Sequence, residues 1–149
     1  MKKRLLACLL TLVMLLALLP ATALAADPTT SGSCGENLTW TLTQNKDGTT
    51  YTLTISGTGE MEDYTVGGAP WHVALGAAAN RKQITEIVLP NGLTHIGNNA
   101  FLQAAVTKVE IPNTVVSIGT NAFWNCNTIE TTLPASVREL GATAFYGTF

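Results

Sequence analysis

The second half of the chain repeats itself at a shift of 22 residues: Pro90, Pro112 and Pro134 share one column, Gly97, Gly119 and Gly141 a second, Ala100, Ala122 and Ala144 a third, and Phe101, Phe123 and Phe145 a fourth. Other columns stay apolar, among them Leu89, Ile111 and Leu133; Leu93, Val115 and Val137; and Ile96, Ile118 and Leu140. A unit this short cannot bury an apolar face within itself, so the copies have to stack with one hydrophobic core running through them all. The columns set repeats at 84–105, 106–127 and 128–149.

Each column has a physical reading. Ile84, Ile87 and Leu89, and likewise Val106, Val109 and Ile111, place apolar side chains on one face of a short strand, and the proline that follows stops the ladder because it has no N–H. One such strand per repeat is expected to stack on the next. Gly97, Gly119 and Gly141 each end a second short strand and are expected to supply a turn with positive φ. Ala-Phe then suits a single helical turn, with the ring filling the axis of the stack. Burying a Phe is worth about 1.5–3 kcal/mol, and truncating it costs about 3–5 kcal/mol. The period predicts a β-rich leucine-rich-repeat solenoid of three repeats. The third repeat departs from the pattern: Thr128 and Thr131 stand where the others have Ile or Val, so its strand either turns hydroxyls inward or shifts to use Ile129.

Ahead of the repeats, 26–83 reads as a cap. Leu38, Trp40 and Leu42 alternate with threonines, and after Asn45-Lys46-Asp47-Gly48 the residues Tyr51, Leu53 and Ile55 alternate with Thr52 and Thr54. That is a β-hairpin with one apolar and one hydroxylated face, suited to cover the open end of a stack. Residues 57–83 form a Gly-rich connector with Trp71 as an anchor and a short helical stretch from about His72 to Arg81. No such cover follows the third repeat, so further repeats or domains beyond Phe149, or a second chain, are expected to close that end.

Residues 1–25 read as a secretory signal peptide: a cationic start at Lys2, Lys3 and Arg4, an apolar run from Leu5 to Leu19, and Ala23-Leu24-Ala25 as the cleavage site. The run falls short of the roughly 20 residues that cross a bilayer, so no transmembrane span is expected once the signal is removed. Removal leaves 5 basic against 10 acidic residues, a net charge of −5, which leaves no electrostatic footprint for nucleic acid. Charged residues are only 12% of the chain, which excludes a coiled coil.

Of the three cysteines only Cys34 and Cys126 remain after export; they lie toward opposite ends of the expected stack and are read as free thiols. His72 and His95 have no partners at metal-ligand spacing, so no metal or other cofactor is expected. Glu60, Glu62 and Asp63 read as a solvated turn, and no set of nucleophile, base and orienting group emerges around either histidine. No catalytic residues are assigned.

The runs Leu-Pro-Asn-Gly-Leu-Thr-His-Ile-Gly-Asn-Asn-Ala-Phe (89–101) and Ile-Pro-Asn-Thr-Val-Val-Ser-Ile-Gly-Thr-Asn-Ala-Phe-Trp-Asn-Cys (111–126) resemble the BspA-like leucine-rich repeats of bacterial secreted and surface proteins. Cys34-Gly35-Glu36-Asn37-Leu38-Thr39-Trp40, with Ala69-Pro70-Trp71, is similar to the segment that often precedes them. The resemblance implies surface display and adhesion or binding without catalysis. Cys126 matches a cysteine column of the family, but Ala104 and Thr148 occupy it in the flanking copies, so here it reads as a packing position.

In a stack, residues of equal phase form rows: Glu86, Lys108 and Glu130; Val88, Glu110 and Thr132; and His95, Ser117 and Glu139. These rows are the candidate binding surface for a protein or glycan at or outside the cell surface. Alternating charge also suits a merely solvated face. Three strands of five residues cover roughly 250 Å², whereas a stable interface needs about 800 Å² per partner, so binding by these repeats alone is expected to be weak. Two other roles fit the same residues: a spacer or stacking module of a larger surface protein, and an accessory domain of a secreted enzyme.

Overall fold

The computed structural model describes residues 30–127 and 130–148; the expected signal peptide at 1–25, Thr128 and Ile129 lie outside the described residues. Among the described residues ten elements follow in order: β1 (Ser31–Gly35), β2 (Leu38–Gln44), β3 (Tyr51–Gly57), β4 (Gly59–Glu60), α1 (Pro70–Leu75), a 3-10 helix (Ala78–Gln83), β5 (Ile84–Val88), β6 (Leu93–Ile96), β7 (Ser117–Ile118) and β8 (Glu139–Leu140).

The expected hairpin is β2–β3, antiparallel, with Trp40 opposite Ile55 and Leu42 opposite Leu53. Leu38, Trp40, Leu42, Leu53 and Ile55 are all buried, as the alternation requires. β1 adds on one side of the hairpin and β5 on the other, giving a sheet ordered β1-β2-β3-β5 in which β5 runs parallel to β3. The cap therefore shares a sheet with the first repeat. A second, all-parallel sheet is ordered β4-β6-β7-β8, so the cap supplies its first strand too.

Stacking of the aromatic rings forms the core. Ring centroids lie 5.2 Å apart for Phe101–Phe123 and 5.0 Å for Phe123–Phe145, and the column continues into the cap, where Trp71 stacks on Phe101 at 5.8 Å. Phe101, Phe123 and Trp71 are fully buried, while Phe145, at the end of the column, is half-buried. Trp71 is positioned by α1, which begins at Pro70; its indole N–H donates to the Ala100 carbonyl at 2.8 Å, and Trp40 meets it edge-on at 6.1 Å. The helical stretch is two pieces, α1 and the 3-10 helix, because Gly76 takes φ +81° between them.

Three expectations are corrected. First, Gly97, Gly119 and Gly141 are absent from the residues with positive φ. Glycine is needed there because the coils touch backbone to backbone: a Cβ on Gly97 would collide with the Glu62 carbonyl, and one on Gly119 would sit 2.5 Å from the Asn98 nitrogen. The left-handed residues come two places later, at Asn99 (φ 54°), Asn121 (φ 56°) and Thr143 (φ 57°).

Second, that left-handed residue prevents a helical turn at Ala-Phe. The N–H groups of Asn99, Phe101 and Gln103 point to the next coil instead and bond the carbonyls of Thr120, Ala122 and Trp124 at 2.8–2.9 Å.

Third, the second repeat does not form its leading strand as expected. β5 pairs with β3, whereas 106–111 carries no strand and, among the described residues, meets the third coil through a single bridge, Lys108 to Glu130. Close approach at the glycines holds the coils together on the β6-β7-β8 side, and the leading segments opposite are left loosely paired.

The third repeat keeps one irregularity foreseen above: Thr131 turns a hydroxyl inward, where it is buried without a partner. Cys34 and Cys126 are both free and buried. Ala104, Cys126 and Thr148 are all buried, in keeping with a packing column.

Candidate functional site

On β5 the side chains of Glu86 and Val88 point outward, while Ile84 and Ile87 are buried. Glu86 accepts a hydrogen bond from the Thr52 hydroxyl at 2.9 Å, so the cap fixes its orientation. Lys108 and Glu130 face each other across the bridge, but the Lys108 ammonium pairs with Glu110 of its own coil, at 3.1 Å. The charged row is thus not a run of ion pairs between coils. With side chains 67% and 85% exposed, the Lys108–Glu110 pair adds little stability, typically about 0–1 kcal/mol.

Two clefts open between the loosely paired leading segments. One, of about 570 Å³, runs between Thr85–Leu89 and the Thr107–Glu110 stretch. The other, of about 600 Å³, lies between Lys108–Ile111 and Glu130–Thr132, closed below by Pro134. Both sizes suit a small ligand or a side chain of a partner. Glu86, Val88, Lys108, Glu110, Glu130 and Thr132 all line one or both clefts, with Lys108 and Glu110 common to the two.

The row on the second sheet forms in the expected register, His95 beside Ser117 beside Glu139. It has one member that the sequence did not reveal. His95 Nε2 lies 3.3 Å from Asp63 Oδ1, and His95 Nδ1 lies 2.7 Å from Ser117 Oγ. Asp63 Oδ1 also accepts the backbone N–H of Asn98 at 2.7 Å. That N–H, chiefly, holds the Asp63 carboxyl below its ordinary range; partial burial opposes it and His95 adds to it. An ionised Asp63 only accepts, so a neutral His95 carries its proton on Nε2, and the Ser117 hydroxyl donates to Nδ1.

A serine, a base and an orienting carboxylate are therefore connected, contrary to the reading from sequence. Contacts spanning 32 and 22 residues join them, separations that no local motif in the sequence reveals. The Asp63 side chain is 59% exposed, and none of the three residues lines either cleft. In this geometry the chain of bonds acts as a clasp between the cap and the first two coils. Among the described residues no group of three or more His, Cys, Asp or Glu side chains is placed to hold a metal ion.

Comparison with known proteins bears on this architecture. Residues 76–148 match the BspA type leucine-rich repeat region, a family described as six copies. Residues 76–148 are a BspA-type leucine-rich-repeat region. That copy number differs from the three repeats of 22 residues read from the columns of this chain.

Among solved structures, the chain is similar to the crystal structure of a leucine-rich repeat protein from Eubacterium ventriosum, at 28% identity and a TM-score of 0.58. The match covers 78% of this chain but 35% of the other, so the chain spans about a third of that neighbour's length. No curated protein matches the chain. BspA-type proteins are often surface proteins that act by binding and are generally non-enzymatic. Among the described residues no helix is long and apolar enough to cross a membrane.

Proposed function

We propose that this protein is exported under the signal peptide at 1–25, is displayed at or released from the cell surface, and binds a protein or glycan through the leading-segment face of its repeats without catalysing a reaction. In this reading 26–83 is a cap, and 84–149 forms a solenoid of three repeats that further repeats or domains extend. The observation that carries it is the pair of adjoining clefts sharing Lys108 and Glu110, lined by side chains from the leading segments of neighbouring coils.

The test replaces Glu86, Lys108, Glu110 and Glu130 with Gln, Met, Gln and Gln and compares the variant with the native chain on arrays of extracellular-matrix proteins and glycans. Loss of a partner that the native chain retains supports the reading. Equal binding by both chains overturns it.

A stacking role draws support from a different observation. Leu133, Leu140 and Tyr146, all in the third coil, are 44%, 53% and 63% exposed. This apolar surface suits contact with further repeats, and in that case the clefts contact no ligand.

A further inference from the structure

A third groove, of about 590 Å³, lies away from the two clefts, between the cap and the turns that carry the stacked rings; it is lined by Val66, Arg81, Leu102, Gln103, Trp124 and the Asn121–Thr143 pair. Its polar groups are unusually one-sided. Arg81 Nη1 donates to Gln103 Oε1 at 2.8 Å, which occupies the acceptor of that amide and leaves its NH₂ to point elsewhere. Asn121 is already committed, donating to Asn99 Oδ1 at 3.3 Å and accepting from the Thr143 hydroxyl. Arg81 Nε is buried without a partner. The remaining hydrogen-bonding capacity of the side chains in the groove is therefore mostly donor: the guanidinium, the Gln103 amide and the indole N–H of Trp124.

Around these donors the surface is rigid. Gly67 lets the guanidinium lie against the chain, since a Cβ there would collide with Arg81 Nη2. Gln103 is held at φ 63° by the coil-to-coil ladder, its own N–H bonding the Trp124 carbonyl at 2.9 Å. Trp124 is half-buried and packs parallel to Tyr146, with centroids 6.5 Å apart. A half-exposed indole beside planar amide and guanidinium donors suits a sugar ring, whose C–H face lies on the aromatic ring while its oxygens accept hydrogen bonds. A single cation with mostly donors around it further selects a ligand that carries an anionic acceptor.

We propose that this groove is a binding site for carboxylate-bearing sugars, with the carboxylate on Arg81 and Gln103 and the sugar ring against Trp124. The site is separate from the leading-segment clefts, so neutralising Glu86, Lys108, Glu110 and Glu130 leaves it intact and the two readings fail independently.

Calorimetric titration of the full exported chain with trigalacturonate, sialyllactose and lactose tests it. At least one of the carboxylated sugars is expected to bind with a Kd below about 1 mM, and lactose at least tenfold more weakly. Binding of trigalacturonate alone assigns polyuronates, and binding of sialyllactose alone assigns sialylated glycans. The bound sugar should also change the tryptophan fluorescence, because Trp40 and Trp71 are buried and Trp124 is the accessible indole.

Trp124→Ala and Arg81→Gln are each expected to weaken binding at least tenfold. Gln103→Ala, which leaves the charge in place, should weaken it severalfold and serves if either of the others fails to fold. Equal affinity for lactose and the carboxylated sugars overturns the proposal, as does no heat from any sugar at about 10 mM, or unchanged affinity in a folded variant.

Discussion

Replacing Gly119 with Ala separates two reasons for glycine that look identical in sequence. An ideal Cβ at Gly119 would lie 2.5 Å from the Asn98 nitrogen, 2.6 Å from its Oδ1 and 2.8 Å from the Gly97 carbonyl carbon, all under the 3.0 Å that real Cβ atoms respect. Two of these atoms are backbone, so relief requires moving one coil away from the next. Overpacking of this kind costs about 1–3 kcal/mol. Separation also strains the Gly119 N–H bond to the Ile96 carbonyl at 2.8 Å and the Thr120 N–H bond to Asn98 Oδ1 at 2.6 Å, each worth about 0.5–1.5 kcal/mol.

The expected loss is therefore about 3 kcal/mol, or roughly 10–15 °C in Tm. Gly119→Asn should be worse still, because the obstacle is space. Gly48 provides the opposite control: it has φ +71° and nothing within 4 Å of a Cβ. There Ala should cost about 1–2 kcal/mol, and Asn, which tolerates left-handed backbone, should recover much of that. Urea unfolding followed by tryptophan fluorescence gives all four values. A Gly119→Ala loss under about 1 kcal/mol, or Gly119→Asn more stable than Gly119→Ala, would refute close approach as the reason for the column.

Other consequences are measurable in the same way. Phe123→Ala, in the middle of the ring column, should cost about 3–5 kcal/mol by chemical denaturation, and Phe145→Ala distinctly less because its ring is half-buried. His72 is buried with neither ring nitrogen partnered, and burial, helped by the nearby Arg81 charge, brings its pKa down to about 4. Below pH 6.5 the unfolded chain takes up a proton that the folded chain refuses, so stability present above pH 6.5 should fall between pH 6.5 and about 4, by up to about 3 kcal/mol; in His72→Leu, melting temperatures across that window should flatten. Burial raises the Cys34 and Cys126 thiols to about 11 and 12, so iodoacetamide at pH 8 should label neither until denaturant is added. Cys126→Thr, which copies the third repeat, should unfold within about 1.5 kcal/mol of the native chain.

The aromatic column was legible because three identical phenylalanines at one spacing leave a stack little alternative, and the hairpin because Leu38–Leu42 and Tyr51–Ile55 alternate with threonine. What stayed hidden depended on how close two backbones come. Gly97 carries the same letter whether it turns left-handed or lies against the Glu62 carbonyl. Asn99 and Asn121, in one column, were the signal for the left-handed position, since asparagine tolerates it better than most residues; Thr143 in the third copy obscured it. Asp63 lies too far along the chain from His95 for spacing to connect them, and its carboxylate looked like any exposed acid. The third groove was likewise unreadable, because it combines Arg81 of the cap with Trp124 of the second coil.

The unequal pairing on the two sides of the stack also determines where the molecule can breathe. On the β6-β7-β8 side and along the ring-bearing turns each coil is tied to the next by several backbone bonds, whereas the leading segments of the second and third coils share, among the described residues, one bridge and little else. Opening there breaks few bonds and leaves the aromatic column untouched, as a book opens without losing its binding. Amide exchange should therefore be fast at Lys108 and Glu110 and slow at Phe101 and Phe123.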